Sequence, residues 1–442
     1  MKAPVIPYRL HKYLTFIYVP LLFTLLQGCL GTAYLKKDEK LLYSQKFNGA
    51  QHLSQEDLKA QLSTKPNKRF LQLPIVPYVW IHQLGRSFYD REKFIDKKEK
   101  INATYQRKSA KTKKEKKDIK LLTKKNKKID RVNRSMKEGN LLMRWGEPLS
   151  IFDHQKEQQA TYRIKSYLLS QGYFNANVEF KPEVNGKLVG VDYNIELNNP
   201  YVLDKNVILT KDTSIKHVLV LNEKSSNLKA GEIYRQSNIT TERDRIASLL
   251  KDNGYYGFEK HYVSFQIDTF STGGNKVIIY TKIESPENGI HEKRYLDSVI
   301  FISDKRNNNY PTDAKPILHN RTHYIFNNRK YSTKILDWRN FLHPGELYSR
   351  NNTLETQSQL SSLDIFKSIN IKYDTTGGKF TSIISATSAN KFQTSSEVGI
   401  DVNQTVVGPF LNLGIRNRNT FGGLELMEIN GNIRSIQRYC GF

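Results

Sequence analysis

The chain has 442 residues, enough for roughly three domains, with 38% hydrophobic and 11% aromatic residues. Its formal charge of +26 would raise nucleic acid as a ligand, but the excess is local: residues 91–137 hold 20 Lys or Arg against 6 Asp or Glu. Two cysteines, Cys29 and Cys440, give no disulfide framework, and 25 tyrosines lean toward strand-rich structure.

Lys2, Arg9 and Lys12 flank the start of an almost uninterrupted apolar run, Tyr13 to Leu26. At about 14 residues that run is short for a membrane-spanning helix and suited to a signal peptide. It ends in Leu26-Gln27-Gly28-Cys29, a small residue directly before a cysteine, which resembles the bacterial lipobox. The resemblance implies removal of residues 1–28 and a diacylglycerol on the Cys29 thiol. A mature chain outside the cytoplasm is not expected to meet nucleic acid.

Leu41 to Phe47 reads as a short strand, and Asn48-Gly49 as a turn. Ser54-Gln55-Glu56-Asp57 opens a helix with Leu58 and Leu62 on its apolar stripe, closed by Pro66. Residues 69–87 carry Phe70, Leu71, Tyr78, Trp80 and Ile81, with Pro74 and Pro77 breaking any long helix, so packed loop and a short helix are predicted. The basic segment 91–137 has no Gly or Pro and few apolar residues, and predicts a helical hairpin or one long exposed helix. It is either an electrostatic arm for anionic headgroups or an acidic partner, or a solvated insertion.

A threefold pattern follows. Gly146-Glu147 leads through a helix near Glu157 to Ser170 to Gly172-Tyr173-Phe174, then two alternating strands around Asn185-Gly186. Gly231-Glu232-Ile233-Tyr234 leads through a helix from Asn238 to Lys251 to Gly254-Tyr255-Tyr256-Gly257-Phe258, then two strands around Gly273-Gly274. Gly345-Glu346-Leu347-Tyr348 leads through a helix to Leu363-Asp364-Ile365-Phe366, then two strands around Gly377-Gly378. Strands over 201–209 and 296–302, and helices over 214–221 and 332–341, complete the second and third copies. The recurring order is β-α-α-β-β, an α+β design with an antiparallel hairpin and an outer strand. From Ser395 alternation continues without helices, through Val398, Ile400 and Val402, then Phe410, Leu411, Leu413 and Ile415.

No Gly-x-Ser-x-Gly, phosphate loop or paired-Cys metal site occurs. His319 and His323 stand four apart without a third ligand in sequence, and read as exposed loop histidines. No catalytic, cofactor-binding or metal residue is expected, and the chain is not expected to be an enzyme. The glycines Gly172, Gly231, Gly254 and Gly345 read as residues that cap helices or permit turns, while Tyr234, Tyr255, Phe258 and Tyr348 fill small cores, and Gly146, Tyr173, Phe174 and Phe366 stand with them in the repeated motif.

The repeated order, with its Gly-Glu-x-Tyr lead-in and Gly-Tyr-Phe exit, resembles the POTRA domain of the BamA/TamA superfamily of outer-membrane assembly factors. The C-terminal alternation resembles the first strands of that family's barrel, with Asn419, Phe421, Gly422 and Gly423 in its early turn. The lipobox and basic insertion together resemble the Bacteroidetes-type TamA-like lipoprotein. The resemblance implies three tandem POTRA-like domains, at 29–199 (with the insertion at about 91–137), 200–287 and 288–385, then the start of a transmembrane β-barrel at 386–442. It implies a protein anchored in the outer membrane through acylated Cys29, with its POTRA domains in the periplasm. Its partners would be unfolded outer-membrane or envelope proteins, received as an added strand near 201–209 or 261–267, and a periplasm-spanning TamB-like protein. Residues 386–442 hold about three or four strands of a barrel of about 16, so the barrel is expected to be truncated. The alternative is a lipoprotein scaffold or adhesin that binds a protein or cell-wall partner. A hydrolase is a third reading, for which no triad or metal set can be assembled.

Overall fold

The computed structural model describes residues 31–70, 75–110, 115–271, 273–287, 289–304, 315–327, 331–403, 406–434 and 437–438. The lipobox with Cys29 lies outside the described residues, as does Cys440. The chain divides into two units, residues 1–201 and 202–442.

The first unit opens with β1 (Leu41–Asn48) and α1 (Gln55–Ala60). Ser54 caps α1, its hydroxyl accepting the Asp57 N–H at 3.3 Å. Pro77 begins α2 (Pro77–Ser87), where its fixed φ suits the first helical turn. The basic stretch folds as a hairpin of α3 (Arg91–Ala110) and α4 (Glu115–Glu138), with Tyr105 and Val132 buried. The ammonium groups of Lys108 and Lys128 lie 5.8 and 5.6 Å from the Tyr105 ring. The short α5 (Leu141–Trp145) packs on α2, followed by α6 (His154–Ser170), β2 (Asn177–Asn185) and β3 (Leu188–Glu196). Asp153 caps α6 through the Gln155 and Lys156 N–H groups. Strand β3 is central, parallel to β1 and antiparallel to β2. Its alternate residues Val189, Val191, Tyr193 and Ile195 pack with Ala160, Ile164 and Leu168 of α6, the period of two meeting the period of 3.6.

The second unit repeats this plan with β4 (Val202–Leu209), α7 (Thr213–Leu221), α8 (Gln236–Asp252), β5 (Val263–Asp268) and β6 (Lys276–Ile283). The sheet order is β4-β6-β5, again with the last strand central and parallel to the first. The third copy contains β7 (Ser298–Ser303), β8 (Ile317–His319), β9 (Thr322–Phe326), α9 (Thr333–Trp338), α10 (Arg350–Ser361), β10 (Phe366–Asp374) and β11 (Thr381–Ser388). Its sheet has five strands, in the order β10-β11-β7-β9-β8, where the sequence pattern had provided three. His319 and His323 therefore sit in β8 and β9, not in a loop. Between these strands Asn320 and Arg321 both take positive φ (44° and 67°), the two-residue turn that joins right-twisted strands.

A second correction concerns the lead-in of the first copy. Leu42 N–H donates to Ser150 O, Leu203 N–H to Glu232 O and Leu296 N–H to Glu346 O, at 2.9, 2.8 and 2.8 Å. These bonds align Leu149, not Gly146, with Gly231 and Gly345. Gly146 serves another purpose: a Cβ there would stand 2.4 Å from the His82 backbone nitrogen, so glycine is what lets α5 lie against α2.

After β11, which runs three residues past the expected boundary at 385, come β12 (Phe392–Asn403), β13 (Val406–Arg418) and β14 (Leu426–Arg434). They form an antiparallel sheet that does not close into a barrel among the described residues. Val398, Ile400, Leu411, Leu413, Ile415, Ile429 and Ile433 share one face by register. Glu397, Asn412, Arg416, Glu428, Asn430 and Asn432 share the other.

Candidate functional site

Each sheet has outer strands whose free side carries unpaired main-chain donors and acceptors, and these edges differ in how they are covered. On β1, the Tyr43 carbonyl accepts from Arg69, whose guanidinium lies over the Tyr43 ring at 3.7 Å. Strand β2 carries Pro182 among Glu179, Lys181 and Glu183, the residues that blunt an edge. Strand β10 carries Lys367 and Lys372. On β5, the Val263 carbonyl accepts from Arg243 Nε at 3.1 Å. On β4, β6 takes one side, and the other is met at its start by Gly231–Ile233, through the Val202–Ile233 bridge and the bonds of Leu203 with Glu232 and Gly231. Lys205-Asn206-Val207-Ile208-Leu209 has no proline and both kinds of backbone group to offer.

Beside β4 opens a pocket of about 150 Å³, lined by Asn206, Ile208, Leu228, Glu242, Arg245 and Thr281 among others. Glu242 is 1% exposed and accepts from Ser226 Oγ at 2.9 Å, Asn227 N–H at 2.8 Å and Arg245 at 2.7 and 2.9 Å. Burial works to raise this carboxyl, but the bonds from Arg245, Asn227 and Ser226 outweigh it and hold the group below the usual carboxylate range. The wall of the pocket is thus a fixed charge pair rather than a group poised to exchange protons. An extended segment added to β4 would find a ladder for its backbone and a small recess for a side chain.

A second constellation joins the third copy to β12–β14. Gly172 and Gly254 take φ of 93° and 94° four residues after the buried Leu168 and Leu250. Four residues after the matching Leu360 stands Asp364, in the same left-handed region at 53°. Its carboxylate accepts from Arg416 at 3.0 Å and Arg418 at 3.2 Å, and its carbonyl from Arg418 Nε at 2.6 Å. Arg418 is 4% exposed and also donates to Asn390 O and Gln393 Oε1. The turn after β13 folds back on the same domain. Leu424 joins the core with Leu336, Leu342 and Phe366, its N–H held by Asn419 Oδ1 at 3.0 Å, while Ser332 N–H donates to Gly422 O at 3.0 Å.

The sequence-predicted residues divide accordingly. Tyr234, Tyr255, Tyr348 and Phe366 are buried in their own cores, while Tyr173 and Phe174 are half-buried, with Phe174 edge-on to Tyr201 at 4.9 Å. In the barrel-like turn Asn419 is buried, Gly422 takes positive φ, and Phe421 is exposed. Gly423 is followed by the Leu424 plug. Sequence reasoning missed Asp364, Arg416, Arg418 and Leu424. The available signal was an Asp standing where the first two copies have Gly.

The POTRA family model, described as the surface antigen variable number repeat, matches residues 120–198. That stretch of the chain is similar to a POTRA repeat. The POTRA match runs from within α4 to the end of β3, so β1 lies outside it, ahead of the basic insertion. Among solved structures, the chain is similar to BamA from Haemophilus ducreyi lacking POTRA domains 1–3, at 16% identity and a TM-score of 0.36, over 53% of this chain and 37% of that one. It is similar to the BamA POTRA3–5 fragment of Haemophilus influenzae at 12% identity and a TM-score of 0.31, over 80% of this chain and 99% of that one. For CdiB from Acinetobacter baumannii the values are 11% and 0.26, over 53% and 38% of the two chains. The chain thus spans 37% of the Haemophilus ducreyi BamA chain and 38% of the CdiB chain. No curated protein matches it.

Proposed function

We propose that this POTRA protein belongs to the BamA/Omp85 superfamily and docks extended segments of outer-membrane or envelope proteins on β4, handing them to β12–β14 at the outer membrane. The observation that carries the reading is the β4 edge, proline-free and flanked by a side-chain pocket, in a chain whose first repeat matches POTRA. Main-chain pairing needs no particular client side chain, which suits a factor that takes many clients. The division of β12–β14 into an apolar and a polar face suits the opening strands of a transmembrane barrel, with lipid on the apolar side. Acylation of Cys29 would tether the chain to the membrane as a TamA-like lipoprotein of the Bacteroidetes type, with its POTRA repeats in the periplasm and a TamB-like protein as a further partner. Its work is binding and transfer, without enzymatic chemistry.

The test is a photocrosslinker at Val207 in the full chain, offered an unfolded outer-membrane protein. A crosslink to the client is expected. Proline at Lys205 and at Asn206, in separate variants that keep the crosslinker at Val207, discriminates further, because successive residues of a strand direct their N–H to opposite sides. The outward one should abolish the crosslink and leave the fold intact. Crosslinking that survives both prolines in folded protein would sink the edge reading.

A further inference from the structure

We infer that the first repeat rests on a lipid bilayer through α2, with anionic headgroups meeting the basic α3–α4 hairpin. Trp80 and Leu84, one turn apart on α2, are 38% and 53% exposed, and Phe88 just beyond the helix is 72% exposed. With Tyr34 and Ile81 they make an apolar surface, and Tyr34, Trp80, Ile81 and Leu84 line an open groove of about 730 Å³. So much aromatic and aliphatic area is not left in water without a partner. Trp and Tyr are also the side chains suited to the boundary between headgroups and acyl chains, apolar in body and polar at one end.

Two further observations select lipid over protein as the occupant. The first is the path of the chain. Gly31 lies against α2, where an added Cβ would stand 3.4 Å from Val79 and 3.6 Å from Val76. Cys29 is two residues earlier, and two residues span at most about 7 Å. A diacylglycerol on Cys29 therefore brings the bilayer to α2. This part rests on the acylation proposed above. The second is charge. Residues 91–137, which begin four residues after α2 ends, hold 20 Lys or Arg against 6 Asp or Glu. Lys120, Lys124 and Lys127 stand exposed at helical spacing on α4. A polybasic element beside a lipid anchor supplies the second of the two signals that stable membrane attachment requires.

The experiment uses the full chain bound to vesicles of phosphatidylethanolamine and phosphatidylglycerol with brominated acyl chains. Trp145→Phe and Trp338→Phe leave Trp80 as the sole tryptophan. Its emission is expected to shift to the blue and be quenched by the brominated lipid. Leu84→Asp, on an exposed position that leaves the fold intact by circular dichroism, should lower vesicle affinity about tenfold. Lys120→Glu, Lys124→Glu and Lys127→Glu together should weaken binding to anionic vesicles and leave zwitterionic ones unaffected. A Trp80 that is shielded from a soluble quencher yet untouched by brominated lipid means a protein covers the face, and overturns the inference. So does a Trp80 that stays in water while the chain is bound. Intact mass reports acylation separately. If Cys29 carries no lipid, the anchor reading falls alone, and the same quenching on the unacylated, vesicle-bound chain decides the seat: no binding, or no quenching, overturns it.

Discussion

Asp364 occupies a backbone region that glycine fills at the matching place in the first two repeats, and a side chain there carries a cost of order 1–2 kcal/mol. What offsets it is the grip of its carboxylate and carbonyl on Arg416 and Arg418. Asp364→Gly relieves the backbone but leaves a buried guanidinium without its counter-charge. The second effect is larger, so a net loss of about 1–3 kcal/mol is expected in urea unfolding, and Asp364→Asn should fall between that variant and wild type. Glu242 gives a pH-dependent counterpart. Its folded carboxyl lies below the usual carboxylate range, so ionisation stabilises the second repeat above the unfolded range, and that stabilisation is lost as pH falls through the folded value. Wild type should therefore lose stability more steeply on acidification than Glu242→Gln, which starts lower at neutral pH. Parallel slopes in urea titrations at falling pH would contradict the assignment.

At the scale of elements, the repeat was legible because its signals are local. Capping at Ser54, the left-handed glycines Gly172 and Gly254, and alternation in β3 and β6 each follow from a few neighbouring residues. What the sequence did not disclose depends on partners far along the chain. The lead-in was misaligned by three residues because Gly146 answers to His82 on α2, a close approach that no local pattern reveals. Strands β8 and β9 went unseen because the first is only three residues long, although Asn320-Arg321 in left-handed conformation and the β-prone Thr322-His323-Tyr324-Ile325-Phe326 were there to read. The basic hairpin was legible as helix, and its place in the packing gives a prediction. Among the described residues the core of the first repeat contains none from 91–138, and Tyr89 Oη donates to Met136 O at 3.2 Å, so the ends of the hairpin lie close together. Replacing residues 91–137 by a short Gly-Ser link should leave the helical and strand signature of the remainder intact, with a melting shift of about 4 °C or less for a loss under about 1 kcal/mol. Loss of the α6–β3 signature on excision would show instead that the hairpin is a structural brace.

At the scale of the second unit, the contacts between the second repeat, the third and the final sheet are continuous. Tyr256 leaves its own repeat and stands among Tyr348, Tyr373 and Phe380, at ring distances of 5.0, 5.3 and 4.9 Å. Asp252 accepts from Ser349 Oγ at 3.1 Å and Asn351 N–H at 2.7 Å. At the far end Leu424 and Arg418 tie β13 to the third repeat. Unlike repeats that share only a linker, these share core and should unfold together. Tyr256→Ala removes three aromatic pairs, worth about 0.5–1.5 kcal/mol each, and should divide one transition into two, with amides of β4–β6 exchanging ahead of those in β10 and β11. A transition that stays single, with both sheets still exchanging together, would place the coupling elsewhere. The consequence for function is geometric. If clients dock on β4 as proposed above, such a segment and a strand of β12–β14 keep a fixed separation only while Tyr256 and Asp364 both hold, so Tyr256→Ala should leave crosslinking at Val207 unchanged and reduce delivery to the membrane.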